Sequence, residues 1–258
     1  MTAGAPLVFA HRGSSAALPE HTRGAYLRAI AEGADGLECD VRLTRDGHLV
    51  CIHDAVVDRT SDGRGRVSAA TLAELNELDY SAWRGANGGP GILTLEELLQ
   101  LVLAAGRPLR LLIETKHPSR FRSAVEERLV AMLQRYGLST AAGAATTGVA
   151  VTVMSFSPLA VRRMRALAPE VPTVFLFEFA PPAVRDGRVP FGATLLGPGL
   201  KAVRARPDLV RRAHERGHEV YVWTVNEPAD VELMQTLEVD GIISDRPADV
   251  RAQLGRAR

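Results

Sequence analysis

Short apolar runs alternate along the chain with longer segments in which apolar residues recur at helical spacing. The apolar runs predict nine strands, at Leu7–Ala10, Leu37–Leu43, Leu49–His53, Leu109–Glu114, Val149–Ser155, Thr173–Phe179, Ala193–Leu196, Glu219–Val225 and Gly241–Ser244. The helical spacing predicts helices at Glu20–Glu32, Thr94–Ala105, Ser119–Tyr136, Pro158–Ala168, Pro207–Arg216 and Pro228–Leu237. Almost wholly apolar strands that alternate with helices are typical of a parallel sheet covered by helices. The pattern therefore predicts the α/β class.

One pair of strands breaks this alternation. The second and third apolar runs are joined only by residues 44–48, which are too few for a parallel crossover. The joining segment contains Asp46-Gly47, and Asp-Gly is a strong signal for a tight turn between antiparallel strands. The sequence therefore predicts a β-hairpin at this point.

The register of the hairpin depends on which residues form its turn. If Asp46 and Gly47 are the two turn residues, Asp40 lies directly opposite His53. Side chains alternate between the faces of a strand, so one face of this ribbon would carry Glu38, Asp40, Cys51 and His53. Cys39 would point to the other face, and we therefore expect no disulfide between the two cysteines of the chain.

With the third run set aside as the hairpin strand, eight strands remain, and 258 residues are close to the ~250 of an eight-stranded α/β barrel. We predict a single (β/α)8 TIM barrel domain over residues 1–258, with the hairpin after the second strand. Residues 57–91 are rich in Gly, Asp, Arg and Ser and are predicted to form a small insertion on the barrel rim. An open doubly wound sheet is the weaker alternative, because no Gly-rich phosphate loop follows the first strand.

Composition narrows the class of protein further. The chain has 46% apolar and 24% charged residues, which is ordinary for a globular enzyme. Its 31 basic and 30 acidic residues leave a net charge of +1, so neither nucleic acid nor an anionic membrane is an expected partner. The apolar stretch at Leu7–Ala10 is too short for a signal peptide or membrane anchor, and we expect a cytoplasmic protein. The oligomeric state stays open.

Catalytic groups of α/β barrels lie at the carboxyl ends of the strands, and several runs end in polar residues. The second run carries Glu38 and Asp40 on one face, and the run from Leu109 ends in Glu114. Three converging carboxylates repel one another unless a cation lies between them, and oxygen ligands suit Mg²⁺ or Ca²⁺. The sequence therefore predicts a metal site. The alternative is that Glu38 and Asp40 form ordinary ion pairs with nearby basic residues.

Basic and aromatic side chains at other strand ends complete the candidate site. His11 and His53 titrate near neutral pH, which suits a general acid and a general base. Arg12 and Lys116 are candidates to bind a phosphoryl group, unless they only balance the charge of the carboxylates. Trp223 is a candidate wall of the substrate pocket, although an aromatic residue on a strand is by default part of the core.

The chain resembles the glycerophosphodiester phosphodiesterase family over nearly its whole length. Each motif of the resemblance is weak alone, but eight occur in the family's order. They are His11-Arg12-Gly13, Glu38-Cys39-Asp40-Val41, Thr44-Arg45-Asp46-Gly47, His53-Asp54, Glu114-Thr115-Lys116, Ser155-Phe156, Trp223-Thr224-Val225-Asn226 and Asp240-Gly241-Ile242-Ile243-Ser244-Asp245-Arg246-Pro247. One departure is that His21 stands where the family pattern Pro-Glu-Asn-Thr has Asn, a position that we interpret as a local helix cap.

The resemblance implies a TIM barrel of the phospholipase C-like phosphodiesterase type. It also implies metal-dependent hydrolysis of small glycerophosphodiesters, such as glycerophosphocholine or glycerophosphoethanolamine, to sn-glycerol 3-phosphate and an alcohol. Glu38, Asp40 and Glu114 would ligate Mg²⁺ or Ca²⁺, with His11 and His53 sharing the acid and base roles. A lysophospholipase D-like activity on the same fold and a catalytically silent phosphate-binding barrel are the alternatives.

Overall fold

A computed structural model describes residues 5–85 and 89–256. Within them the sheet has nine strands: β1 (Leu7–His11), β2 (Gly36–Leu43), β3 (Leu49–Cys51), β4 (Leu109–Thr115), β5 (Val149–Ser155), β6 (Thr173–Phe177), β7 (Leu195–Pro198), β8 (Tyr221–Val222) and β9 (Gly241–Ser244). All nine predicted strands are present. Two of them differ most in their bounds from the prediction. Strand β7 begins two residues later than predicted, and β8 is only two residues long.

Eight of these strands run parallel around a barrel. The order is β7, β6, β5, β4, β2, β1, β9 and β8, and β3 pairs only with β2. Isolated parallel bridges from Leu196 to Val220 and from Gly199 to Trp223 connect β7 to the residues that flank β8. The sheet therefore closes on itself, and the predicted TIM barrel is confirmed.

Helices cover the outside of the barrel. They are α1 (Arg23–Ala31), α2 (Leu72–Asn76), α3 (Leu95–Leu103), α4 (Ala124–Arg135), α5 (Ala141–Thr147), α6 (Pro158–Leu167), α7 (Leu200–Ala205), α8 (Asp208–His214), α9 (Pro228–Thr236) and α10 (Pro247–Gln253). Thr94 caps α3 by accepting a hydrogen bond from the Glu97 amide, while Glu97 accepts from the Thr94 amide. Helices α5, α7 and α10 were not predicted, because each is short and has too few large apolar residues to show a helical period.

The barrel strands have one face toward the interior and one toward the helices. Phe9, Leu112, Met154, Leu176 and Ile243 form a cluster inside the barrel. A second set of residues on the outer faces of the strands packs against the helices in two further clusters. Since side chains alternate along β2, the inward positions fall on Glu38 and Asp40 and the outward ones on Cys39 and Val41.

The hairpin of β2 and β3 forms, but the predicted register is wrong by one residue. Val41 pairs with Cys51, and the Ile52 amide donates to the carbonyl oxygen of Asp40, so Asp40 does not face His53 across the ribbon. The turn is wider than Asp46-Gly47 alone. The amide of Thr44 donates to the carbonyl of His48, so a loop of several residues connects the strands and shifts their pairing.

This shift also corrects the predicted positions of the cysteines. Cys51 lies opposite Val41 and therefore shares the outer face of the hairpin with Cys39, not the inner face with Asp40. Both cysteines are buried in the outer core and their thiols are free. The expectation of no disulfide agrees with the structure, but the reason that we gave for it does not.

The insertion after β3 has a small core of its own. Val57, Val67, Leu75 and Tyr80 pack there with Ile92. Arg84 donates hydrogen bonds from this segment to the carbonyl oxygens of residues 15 and 16, which follow β1, so the insertion lies against the rim of the barrel. Residues 86–88 of the predicted insertion and the ends of the predicted domain, 1–4 and 257–258, lie outside the described residues. In the described ranges no helix is long and apolar enough to cross a membrane.

Candidate active site

Three buried carboxylates meet at the carboxyl end of the barrel. Glu38 and Asp40 come from the inner face of β2, and Glu114 comes from β4, where it pairs in register with Asp40. One oxygen of each carboxylate lies within 4.8 Å of the others. The structure therefore brings together the three residues that the sequence predicted as metal ligands.

The charges of these carboxylates are poorly compensated by protein groups. Burial, together with the nearby charge of Asp40, raises the pKa of Glu38 well above its ordinary value and raises the pKa of Glu114 to about 8. Burial also acts to raise the pKa of Asp40, but a hydrogen bond from His21 and the charges of Lys116 and Arg12 hold it well below its ordinary value. The surrounding protein groups thus favour the anionic form of Asp40 and disfavour that of Glu38 and Glu114.

Two cationic side chains reach this cluster. Lys116 Nζ lies 2.7 Å from Glu114 Oε1 and 3.2 Å from Asp40 Oδ1. Arg12 Nε lies 3.1 Å from Asp40 Oδ2, but it makes no hydrogen bond to any described residue. The alternative of ordinary ion pairs is thus realised for Asp40, which contacts Lys116 and Arg12, but burial and the charge of Asp40 still raise the pKa of Glu38 and of Glu114. An all-oxygen donor set with surplus negative charge fits a hard divalent cation.

A histidine and a carboxylate form a pair on one side of the cluster. His11 Nδ1 lies 2.7 Å from Asp245 Oδ1, and His11 Nε2 lies 4.0 Å from Glu38 Oε2, so the ring lies between the two acids. Burial acts to raise the pKa of Asp245, but hydrogen bonds from His11, Asn226 and Ser15 lower it to about 2. Asp245 therefore stays ionised and fixes the orientation of the His11 ring.

The second histidine has an equivalent partner. His53 Nδ1 lies 2.6 Å from Asp54 Oδ1, and Arg59 Nε donates to the other oxygen of Asp54. Arg59 also donates two hydrogen bonds of 2.8 Å to Glu20, which in turn accepts one from Arg12. A continuous set of polar contacts therefore connects the neighbourhood of His53 to Arg12.

His53 reaches the cluster in spite of the corrected hairpin register. It lies two residues after the end of β3, beyond the last pair of the ladder with β2, and Arg42 donates two hydrogen bonds to its carbonyl oxygen. Burial lowers the pKa of His53 below its ordinary value, which favours a neutral ring that can accept a proton.

His21 occupies a different place from the helix cap that we predicted. Thr22 caps α1, whereas His21 has a left-handed φ of 59°, a conformation that Asn adopts more readily than most residues. His21 Nε2 lies 3.0 Å from Asp40 Oδ2, and Nδ1 lies 2.8 Å from the Tyr26 hydroxyl. Burial lowers the pKa of His21, and because Asp40 is ionised, the proton on Nε2 is donated to this carboxylate.

The cluster opens into a cavity of about 100 Å³ at the mouth of the barrel. Its polar lining includes both histidines, Arg12 and Lys116, and its apolar lining includes Trp223 and Phe156. Trp223 donates from Nε1 to the carbonyl of Gly197 and meets Phe156 edge to face at 5.3 Å between ring centroids. Seven of the eight residues predicted for the site line this cavity, and the eighth, Asp40, contacts the lining residues Arg12 and Lys116. A larger groove lies outside the barrel beside α3 and α4, away from these groups.

Several functional contacts escaped the sequence analysis. Asp245, Asn226 and Asp54 were visible only as members of motifs, and Arg59 lies in the insertion. The signal that could have found Asp245 and Asn226 is their position, because Asp245 follows β9 directly and Asn226 lies four residues after β8, and polar residues at the carboxyl ends of barrel strands meet at one face.

The pocket thus contains two histidine–carboxylate pairs, a cluster of acids and two cationic side chains, and the two histidines can transfer protons to and from a bound substrate anion.

Residues 11–249 match the Glycerophosphoryl diester phosphodiesterase family. A relative from Mycobacterium tuberculosis named "Probable glycerophosphodiester phosphodiesterase 1" is 47% identical over 263 residues, which cover 99% of this chain and 95% of that protein. A glycerophosphodiester phosphodiesterase from Caldanaerobacter subterraneus subsp. tengcongensis is 34% identical over 242 residues, covering 93% of this chain and 94% of the relative.

A solved structure extends the similarity to the fold. The phosphodiesterase of Oleispira antarctica in complex with the product sn-glycerol-3-phosphate aligns with a TM-score of 0.80 and 25% identity, covering 97% of each chain. The family match spans nearly all of the chain, and the first of these relatives is nearly half identical to it. The chain therefore belongs to the glycerophosphoryl diester phosphodiesterase family.

Proposed function

We propose that this chain hydrolyses glycerophosphodiesters to sn-glycerol 3-phosphate and an alcohol. The observation that carries the proposal is the placement of two histidine–aspartate pairs, at His11 and His53, around one acidic cluster in a single cavity. The family membership and the product named for the Oleispira antarctica structure support the choice of substrate.

Glu38, Asp40 and Glu114 are suited to hold a divalent cation, either Mg²⁺ or Ca²⁺. Their buried oxygens match the hard ligands that both ions prefer, and two of the three need added positive charge to ionise. When bound, such an ion supplies positive charge to the oxygens of the phosphoryl group. His21 donates a hydrogen bond to Asp40 Oδ2 and so fixes the orientation of this carboxylate.

The two histidines divide the proton transfers. One removes a proton from the attacking hydroxyl, which belongs to the substrate glycerol or to water, and the other donates a proton to the leaving alcohol oxygen. Each ring is oriented through Nδ1 by an ionised aspartate, Asp245 for His11 and Asp54 for His53, which leaves both Nε2 atoms to act on the substrate.

The cationic side chains bind the phosphoryl oxygens. Arg12 has a buried Nε without a hydrogen bond to the described residues, and Lys116 lies between Asp40 and Glu114 at the edge of the cavity. Both supply charge where the transition state gains it. Trp223 forms an apolar wall that packs against the carbon chain of the substrate.

A coupled assay with glycerophosphocholine tests these roles. The sn-glycerol 3-phosphate formed is oxidised by its dehydrogenase, and NADH is followed by absorbance. We expect His53→Ala to lower kcat by ~10²-fold or more, because general acid–base catalysis contributes about that much. His48→Ala is the matched control, since His48 lies on the outer loop of the hairpin and pairs at 3.9 Å with Asp46. Full activity of His53→Ala would remove His53 from the proton transfers.

A lysophospholipase D-like activity is the competing enzymatic function. This activity requires space for an acyl chain, and the cavity of about 100 Å³ inside the barrel is too small to hold one. Exposed Phe156, Leu159 and Phe179, which follow β5 and β6, offer apolar surface at the mouth instead. Turnover of lysophosphatidylcholine at the rate of glycerophosphocholine would favour this alternative.

The cytoplasmic location of the protein stays a prediction.

A further inference from the structure

A second cavity adjoins the first at the carboxyl end of the barrel. It has a volume of about 290 Å³, and the two cavities share the side chains of His11 and Arg12. Its lining also includes Arg84, Arg246, Asn226 and the carboxylates of Glu20 and Asp245, so we name it the arginine cavity. Among the residues that the structure describes, its lining contains no Phe, Tyr or Trp side chain, unlike the lining of the first cavity, which includes Trp223 and Phe156.

The carboxylates of the arginine cavity are already engaged by other residues. Glu20 accepts hydrogen bonds from Arg59 and Arg12, and Asp245 accepts them from Asn226 and Ser15 while pairing with His11. Both carboxylates have a pKa of about 2, because these hydrogen bonds outweigh the burial that acts to raise it. Each carboxylate therefore already has a basic side chain as its partner, which weakens its attraction for a cationic group of a ligand.

The arginines differ in how much of their hydrogen-bonding capacity is used. Arg84 is held by the carbonyl oxygens of Ser15 and Ala16 and so forms a fixed part of the wall. Arg246 is exposed, its amide donates to Ser244, and its guanidinium pairs with no carboxylate of the described ranges 5–85 and 89–256. The guanidinium group of Arg246 can therefore donate hydrogen bonds to a ligand bound in the arginine cavity.

A phosphodiester has two arms that leave the phosphoryl group in different directions. With the phosphoryl group beside Arg12 and the acidic cluster, the small first cavity has room for one arm, and the larger arginine cavity lies on the other side of His11 and Arg12. We propose that the arginine cavity binds the alcohol arm of the substrate, and that Arg246 favours polyol alcohols over quaternary ammonium alcohols. This inference rests on the proposed function.

The chemistry of the two kinds of alcohol explains the preference. The hydroxyl groups of a polyol accept hydrogen bonds from guanidinium groups and donate to carbonyl oxygens. A quaternary ammonium has no donor, is repelled by arginine, and is bound in proteins by aromatic faces, which this lining lacks. A site with polar groups arranged for hydroxyls rejects a ligand that cannot pair with them.

The test compares glycerophosphoinositol with glycerophosphocholine in the metal-loaded enzyme. We expect a kcat/KM at least about tenfold higher for glycerophosphoinositol, and in Arg246→Met we expect the ratio of the two kcat/KM values to fall about tenfold, the effect of a hydrogen bond to a charged group. Arg188→Met, at an exposed arginine paired with Asp186 on the far surface, is the matched control and keeps the wild-type ratio. Because Arg246 is exposed, its replacement leaves the thermal midpoint unchanged, which is checked in parallel.

The outcomes separate this inference from the proposed function. A wild-type enzyme that turns over both substrates with equal kcat/KM overturns the inference alone, as does an Arg246→Met variant with an unchanged ratio. A wild-type enzyme that turns over neither substrate overturns the proposed function, and the inference with it.

Discussion

Replacement of Glu114 by Gln separates the metal-binding role of this side chain from its role in the fold. Burial and the charge of Asp40 raise the pKa of Glu114 to about 8, so in the metal-free protein at pH 6 the carboxyl group is protonated. A neutral amide of the same shape then replaces a neutral acid, and Lys116 keeps its contact with Asp40. We expect the free energy of unfolding in EDTA at pH 6 to change by less than about 1 kcal/mol.

The same pKa predicts how the metal-free stability depends on pH. A carboxyl group whose pKa is raised by folding stabilises the protein fully below its unfolded pKa, and this contribution is lost as the pH rises through the folded pKa. For Glu114 the window runs from 4.5 to about 8. At about 1.4 kcal/mol per pKa unit this corresponds to an upper limit on the order of 5 kcal/mol. Between pH 5 and 9 the metal-free wild type should therefore lose more stability than Glu114→Gln.

Metal ions should stabilise the wild type more than they stabilise Glu114→Gln. Ligand at about 100 times its Kd adds about 2.7 kcal/mol of stability, which for a domain of this size raises Tm by roughly 5 to 10 °C. We expect this rise in the wild type with Mg²⁺ or Ca²⁺ and a much smaller one in Glu114→Gln. The rise should be larger at pH 8 than at pH 6, because binding must displace the protons held by Glu38 and Glu114.

Thermal unfolding followed by circular dichroism, in EDTA and with each metal at both pH values, measures these quantities. Glu127→Gln is the matched control, because Glu127 is an exposed residue of α4. An equal rise in Tm for wild type and Glu114→Gln would refute the assignment of Glu114 as a ligand. A metal-free wild type whose stability increases with pH over this window would refute the reasoning about its pKa.

Three further variants test the contacts around the cluster. His21→Ala should weaken metal binding measured by calorimetry about tenfold, whereas His21→Asn, which keeps a donor for Asp40 in the same left-handed conformation, should weaken it less. Asp245→Asn should lower kcat by about 100-fold or more, because the ring of His11 loses its orienting anion; steady-state kinetics with an unchanged kcat would contradict this. Arg59→Ala should shift the pH–rate profile, since Asp54 loses a hydrogen bond; a profile identical to wild type would contradict that expectation.

The architecture and the floor of the site were accessible from the sequence because they depend on local patterns. Apolar runs of strand length alternate with helices, and alternation along β2 places Glu38 and Asp40 on the same inner face whatever the hairpin does. Glu114 then joins them because β2 and β4 are neighbours in the barrel and each contributes its carboxyl end.

The remaining contacts of the site depend on loop conformation and on barrel closure, which the spacing of residues along the sequence does not determine. Residues 44–48 could close the hairpin in more than one way, and the choice of loop moved every pair by one residue. The partner of His11 is Asp245, 234 positions away, and only closure of the barrel brings β1 beside β9. The interpretation of His21 as a helix cap is wrong, because the sequence does not reveal the left-handed backbone conformation that turns its ring toward Asp40.

The central claim is that the cluster of Glu38, Asp40 and Glu114 supports hydrolysis of a glycerophosphodiester between phosphorus and the alcohol oxygen. Phosphorus NMR of glycerophosphocholine with the enzyme follows the substrate and each phosphorus-containing product in one sample. We predict conversion to sn-glycerol 3-phosphate with free choline, a stop on addition of EDTA, and recovery on addition of excess Mg²⁺ or Ca²⁺. Formation of phosphocholine, or conversion that continues unchanged in EDTA, would contradict the account.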